Sequence, residues 1–196
     1  MAAVPDEVRE FLEVLALHEA GHAVAAAVHG FALGTIWIVI DALWTPDGTT
    51  ESGAHDVSPR THDDVQCRAA AEVAMAGQEA RRQRYPDDRW KMFDLLDHGD
   101  AIDHLGLRRQ DTVAVLLNPE LLKSENARLE RALEPFAAAA RMLLLGNWRA
   151  VEDVKAALMA GLTAVDDGSL RSSLAPDAAL RIIRAAGVRT SSATMP

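Results

Sequence analysis

Two histidines four residues apart, His18 and His22, lie inside a long apolar segment with helical spacing. A proline followed by two acids favours a helix start, and Gly30 favours a helix end, so the pattern predicts a helix over about residues 5–28. Side chains four positions apart on a helix lie on the same face, where two imidazoles can bind one metal ion. Glu19, beside the first histidine, is placed to act on a metal-bound water. This H-E-x-x-H spacing is typical of zinc metallopeptidases.

The residues around this helix predict a mainly α (α+β) fold. Alanine is heavily used and aromatic residues make up only 5 % of the chain, a composition that favours helices. The β-branched run Thr35–Ile40 predicts a strand, Pro46–Gly48 a turn, and Thr49–His55 a returning strand. We therefore expect a helical zincin-like domain, with one small β-hairpin or sheet after the H-E-x-x-H helix and a C-terminal helical bundle.

Helical periodicity continues through the rest of the chain, with breaks at turn-forming residues. The next helix is expected to begin at Ser58–Pro59 or at Thr61, and a break is expected at His98–Asp100. The remaining helices are expected over residues 90–96, 100–117, 120–145, 148–162 and 176–186. The sequence predicts a single domain over residues 1–196, with a core over about 5–186 and a loose tail over 187–196.

The charge pattern and the single cysteine argue against several classes of protein. The formal charge of −9 disfavours binding to nucleic acid or to an anionic membrane surface, so no nucleic-acid partner is expected. Residues 23–40 contain no Asp, Glu, Lys or Arg, but His29, Gly30 and Gly34 interrupt them and the pattern changes there from helix to strand, so we expect no membrane segment. Acidic residues near the N-terminus argue against a signal peptide. Cys67 alone cannot form an intrachain disulfide, which suits a soluble cytoplasmic protein.

A catalytic zinc usually has three protein ligands, so the two histidines need a third group from elsewhere in the chain. Glu72 and Glu79 lie on the next predicted helix, and His55 and His62 lie on the hairpin and the loop before it. Further candidates form a dense cluster later in the sequence: Asp97, His98, Asp100, Asp103 and His104. The regular spacing of aspartates there is also typical of a solvated helix face. Spacing alone does not choose among these candidates.

The run His18–His22 reads H-E-A-G-H and precedes a helix of small residues, which resembles the peptidase domain of the FtsH family of zinc proteases. The resemblance continues through the predicted hairpin, an A-E-x-x-x-x-G pattern over residues 71–77 and a Gly-Asp segment at Gly99–Asp103. A later stretch matches at Trp148, Val151 and Val154. The resemblance covers about residues 8–165.

The resemblance implies zinc as the cofactor, bound by His18, His22 and Asp103. Asp100 is the nearest rival to Asp103 as the third ligand, and Glu72 and Glu79 also stay open. Glu19 would take a proton from water and pass it to the leaving amine. The strand Thr35–Ile40 could hold an extended peptide beside the metal by strand addition.

The sequence also departs from the FtsH family. Those proteases join this domain to a membrane anchor and an AAA+ ATPase, and no G-x-x-x-x-G-K-[ST] loop occurs in this sequence. We expect a zinc-dependent endopeptidase that hydrolyses unfolded or flexible protein substrates without an intrinsic ATPase. A homo-oligomer or a separate ATPase partner stays open. The alternatives are a degenerate or regulatory zinc-binding domain without turnover, and a helical interaction domain whose histidines bind no metal.

Overall fold

The helix that carries the two histidines lies at the centre of the fold in the computed structural model, which describes residues 5–41, 43, 45–86, 94–107, 119–166 and 168–190. Helix α1 (Asp6–His29) is buried from Leu12 to Ala27 except at Glu13 and His22. A helix that is apolar on all sides is packed by neighbours on all sides. Gly30 follows it with a φ of 81°, the left-handed conformation that glycine favours at a helix end. The predicted helix and its end are confirmed.

The described residues contain five further α-helices and four strands. Two strands follow α1, β1 (Leu33–Ile40) and β2 (Pro46–Ser52), and a short 3₁₀ turn (Gly53–Asp56) follows them. The remaining elements are α2 (Asp64–Arg84), α3 (Asp94–His104), α4 (Pro119–Gly146), α5 (Trp148–Ala160), β3 (Thr163–Ala164), β4 (Leu170–Leu174) and α6 (Pro176–Ala185). The structure is 66 % helical with a small antiparallel sheet, which confirms the predicted mainly α (α+β) class.

The sheet has the strand order β2-β1-β4-β3, and all its neighbouring strands are antiparallel. The predicted turn at Pro46–Gly48 is wrong, because these residues belong to β2 and Pro46 pairs with Ile40. The chain reverses earlier, where the Asp41 carboxylate accepts the backbone N–H groups of Leu43 and Thr45. The strand β4 was not predicted, and its pairing with β1 places β1 in the interior of the sheet. Strand β2 is therefore an edge of the described sheet.

Helices α1 and α2 pack at unusually short range, and Gly21 is the reason. A Cβ at Gly21 would lie 2.6 Å from the carbonyl oxygen of Ala76 and 2.7 Å from the Cβ of Ala80. The absent side chain thus lets the α2 backbone approach α1 directly. This close approach turns one face of α1, with His18 and His22, towards α2.

The boundaries of α2 and α3 differ from the predicted ones. Helix α2 begins after Asp63, which forms a capping box with Gln66, so neither predicted start is right. Helix α3 runs unbroken through Gly99, so the predicted break at His98–Asp100 is wrong. An exposed glycine inside a helix, such as Gly99, costs only about 1 kcal/mol relative to alanine, so the helix can continue through it. The predicted helical residues 90–93 and 108–117, and the tail residues 191–196, lie outside the described part of the chain.

By length and composition alone, one helix of the described residues is long and apolar enough to cross a membrane. This helix is α1, and 78 % of its most apolar window is buried inside the fold. Such burial is also what the core helix of a globular domain shows.

Candidate metal centre

The two predicted histidine ligands face each other on α1. The Nε2 atoms of His18 and His22 lie 3.1 Å apart, and His18 is buried. The Nδ1–H of His22 donates to the carbonyl oxygen of Val73 on α2, at 2.8 Å. A carbonyl oxygen only accepts, so in the neutral ring the lone pair of His22 is on Nε2, the nitrogen that faces His18.

The third group of the cluster is Asp97, from α3. Its Oδ1 lies 3.4 Å from the Nε2 atoms of both His18 and His22. Its other oxygen, Oδ2, accepts the backbone N–H of Gln78 at 3.0 Å, which fixes the carboxylate against α2. Within the described residues, the ligand atoms of these three side chains lie within 4.8 Å of one another. Two helices about 70 residues apart in sequence, α1 and α3, thus bring their side chains to one point, and α2 supports them through Val73 and Gln78.

Asp103, the third ligand implied by the resemblance, does not belong to this cluster. Its side chain is exposed, whereas Asp97 is 4 % exposed. Asp103 lies six positions after Asp97 on a continuous helix, and six helical steps of about 100° place the two aspartates about 120° apart around the axis. Asp97 therefore replaces Asp103 as the structural candidate for the third ligand.

The other candidate ligands have different surroundings. Glu72 lies 2.9 Å from Nε2 of His29, and the buried Glu79 lies 3.0 Å from Arg82 and 2.7 Å from Arg141. Glu72 thus contacts His29 and Glu79 forms ion pairs with two arginines, so both glutamates have partners away from the histidine cluster. Asp100 and His55 are exposed and line the same cleft as the cluster, and the buried His104 lines it too. His62 contacts Thr61, and His98 contacts Gln78.

Space for the two imidazoles depends on Gly77 of α2. A Cβ at this position would lie 2.3 Å from Nε2 and 2.7 Å from Cε1 of His22, and 2.8 Å from Cε1 of His18. These distances are shorter than any ordinary contact, so only glycine fits beneath the rings. Gly77 of the A-E-x-x-x-x-G pattern thus has a direct steric role in the cluster.

The charges of the cluster shift the pKa values of its members. Burial alone would lower the pKa of His22, but the carboxylates of Asp97 and Glu19 and the hydrogen bond to Val73 together raise that pKa to about 9, with Asp97 acting most strongly among them. Burial alone would raise the pKa of Asp97, but His18 and His22 hold it well below its usual range. A positive charge is therefore stabilised between the imidazoles and this carboxylate. In the metal-free protein a proton supplies that charge, and a bound cation would supply it instead.

Glu19 lies beside the cluster and is also buried. Burial raises the pKa of its carboxyl group, although the imidazoles of His18 and His22 act in the opposite direction. The hydroxyl Oγ1 of Thr50, on β2, lies 2.9 Å from Oε2 of Glu19 and 2.9 Å from the Glu19 carbonyl oxygen. A carboxylate with a raised pKa, next to a cluster that could hold a metal ion, is suited to proton transfer.

A cleft of about 250 Å³ opens over the cluster and Glu19. One wall is the edge strand β2, which lines the cleft from Pro46 to Thr50. The hypothesis that the strand Thr35–Ile40 receives a peptide is wrong, because β2 and β4 already pair with both edges of β1. The edge available beside the cluster is that of β2.

No protein-family model matches this sequence, and no curated protein matches it either. The resemblance to FtsH peptidases therefore stays a prediction from the motif. The functional interpretation depends on the geometry of the site itself.

Proposed function

We propose that this protein is a zinc-dependent endopeptidase that hydrolyses peptide bonds in unfolded or flexible segments. One observation carries the proposal. The carboxylate of Asp97 meets His18 and His22 at 3.4 Å, and Glu19 lies in the same cleft. A structural zinc site needs no base beside its ligands, so the position of Glu19 favours a hydrolytic site.

The donor set fits zinc by its chemistry. Two imidazole nitrogens and one carboxylate are a common set of three protein ligands for catalytic zinc, and they leave a fourth position for water. Supporting hydrogen bonds hold two of the ligands in place, from His22 to Val73 and from Gln78 to Asp97. A zinc ion held there would lower the pKa of a bound water to about 7 and polarise a substrate carbonyl.

The protein groups around that position have distinct parts in the proposed reaction. Glu19 accepts a proton from the attacking water and donates it to the nitrogen of the leaving amine, so the proton count balances. An extended substrate segment pairs with the edge of β2 along the cleft, through backbone hydrogen bonds. Pairing through the backbone would give little dependence on side-chain sequence, which suits flexible protein segments as substrates.

Zinc content and casein turnover test the proposal together. We expect about one zinc per chain after gentle purification, hydrolysis of casein, and loss of hydrolysis in Glu19→Gln with the zinc retained. Zinc without turnover in the wild type would instead support a degenerate or regulatory zinc-binding domain. Absence of zinc, together with no uptake of added zinc, would support a helical interaction domain and refute the proposal.

A further inference from the structure

Thr50 makes the only side-chain hydrogen bond to the Glu19 carboxylate among the described residues. Its Oγ1 lies 2.9 Å from Oε2 of Glu19 and at the same distance from the Glu19 carbonyl oxygen, and Thr50 is 5 % exposed. A hydroxyl has one proton, so it can make a strong, linear hydrogen bond to only one of the two oxygens at a time. Which of the two accepts decides what Thr50 does.

The helical position of Glu19 answers this question. Its carbonyl oxygen belongs to the interior of α1, where it already accepts the backbone N–H four residues further along. The carboxylate oxygen is the stronger acceptor because it carries negative charge. The hydroxyl proton of Thr50 is therefore directed to Oε2 while Glu19 is ionised.

The second carboxylate oxygen has a different environment. Among the described residues, Oε1 of Glu19 has no hydrogen-bond partner. It lies beside Gly48 of β2, where an added Cβ would be 3.2 Å from it, and both residues line the cleft. Gly48 and Thr50 are two residues apart on one strand, so they lie on the same face of β2. One strand thus binds one oxygen of Glu19 and leaves space at the other.

We propose that Thr50 is a positioning residue for the proposed hydrolysis, binding Oε2 of Glu19 so that Oε1 is the oxygen that takes the proton from water. In this step the O–H bond of the attacking water breaks, and a new O–H bond forms at Oε1. The hydrogen bond from Thr50 to Oε2 persists throughout. This inference rests on the proposed function. It also links the base to β2, the strand on which the substrate would pair.

Kinetics of Thr50 variants in the full chain test the inference. Thr50→Val keeps the shape of the side chain and removes the hydroxyl, and we expect kcat to fall roughly 10- to 100-fold with little change in KM. Thr50→Ser restores the hydroxyl and should recover most of kcat. Zinc affinity, measured by competition with a chelator, should be unchanged in both. Thr163→Val is the matched control, because Thr163 is an exposed threonine of β3, at the opposite edge of the sheet from β2.

Crystal structures of the same variants give a readout that does not depend on turnover. We expect the Glu19 carboxylate to leave its position in Thr50→Val and to keep it in Thr50→Ser. An unmoved carboxylate in Thr50→Val, unchanged kcat in that variant, or a Ser variant as impaired as the Val variant would each overturn the inference. If Thr50→Val does not fold, Thr50→Ala replaces it in both experiments. Failure of the wild type to hydrolyse casein would refute the proposed function, and the crystal structures would still decide the role of Thr50.

Discussion

The substitution Gly77→Ala should weaken metal binding strongly without unfolding the protein. The new Cβ would lie 2.3 Å from Nε2 of His22, whereas ordinary contact begins at 3.4 Å. The ring must therefore move by about 1.1 Å, the difference between these distances, if the backbone stays in place. Zinc ligands tolerate displacements of only about 0.2 Å. Since loss of a supporting residue alone costs about 10- to 100-fold in metal affinity, we expect at least a 100-fold loss here, about 2.7 kcal/mol.

The effect of this substitution on folding should be small in comparison. Alanine is favoured over glycine inside a helix by about 1 kcal/mol, and overpacking costs about 1–3 kcal/mol, so the metal-free variant should lose about 0–2 kcal/mol. Gly99→Ala is the matched control. It also lies inside a helix, but its Cβ would meet no atom within 4 Å. We expect this control to bind zinc normally and to be stabilised by about 0.5–1 kcal/mol.

Isothermal titration with zinc and urea unfolding of the metal-free proteins measure the two effects separately. Wild-type zinc affinity in Gly77→Ala, with the fold intact, would refute the proposal that His18 and His22 bind the metal. Equal loss of affinity in Gly99→Ala would show that any added methyl group on these helices disturbs the site.

Three further predictions concern the ligands, their protonation and the neighbouring ion pairs. Asp97→Asn should weaken zinc binding by at least about 100-fold, and Asp103→Asn should leave it unchanged, as measured by titration calorimetry. The opposite result, a loss in Asp103→Asn alone, would reject Asp97 as the third ligand. In the metal-free protein the pKa of His22 is raised to about 9, so its contribution to stability is complete below about pH 6.5 and is lost as the pH rises to about 9. Urea unfolding of the metal-free protein should therefore show the free energy of unfolding falling by up to about 3 kcal/mol between about pH 6.5 and 9. Zinc affinity should rise over the same range, because zinc competes with the proton for His22. A free energy of unfolding that does not change with pH would contradict the ion pair between His22 and Asp97. Glu79→Gln should lower the free energy of unfolding by about 1–3 kcal/mol, because it weakens the contact to Arg141 that joins α2 to α4. The zinc content per chain should stay the same. Loss of zinc in this variant would instead make Glu79 a candidate ligand again.

The parts of the site that depend on local sequence could be predicted. The spacing of His18 and His22 and the apolar pattern around them define α1, because helical geometry alone puts these side chains on one face. Gly30 ends that helix for an equally local reason, its left-handed backbone conformation.

The choice of Asp97 over Asp103 could not be made from spacing, because it depends on the phase of α3. A break at Gly99 would have restarted the helix and changed which aspartate faces the core. Once α3 is known to run unbroken through Gly99, its spacing does define the buried face. Asp97, Ala101 and His104 follow the i, i+4, i+7 spacing of a buried face, and the structure buries all three. Asp103 lies off that face and is exposed, whereas Asp100 lies at its edge and lines the cleft.

That β2 would be the edge strand beside the cleft could not be predicted from the sequence either. Strand β4 (Leu170–Leu174) contains two serines and an arginine, so its composition gives little indication of a strand. Its pairing with β1 joins residues 130 to 138 positions apart, and that pairing removes the free edge of β1, so that β2 and not β1 has the free edge beside the cleft. Long-range pairing of this kind is set by the tertiary fold and leaves no local pattern.

The most direct test of the central claim is a crystal structure of the zinc-soaked protein, with anomalous diffraction data collected at the zinc absorption edge. We predict one strong peak between α1 and α3, bound by Nε2 of His18, Nε2 of His22 and the carboxylate of Asp97, with Glu19 beside it. A peak bound by Asp103, or the absence of any peak between the two histidines at saturating zinc, would contradict the account.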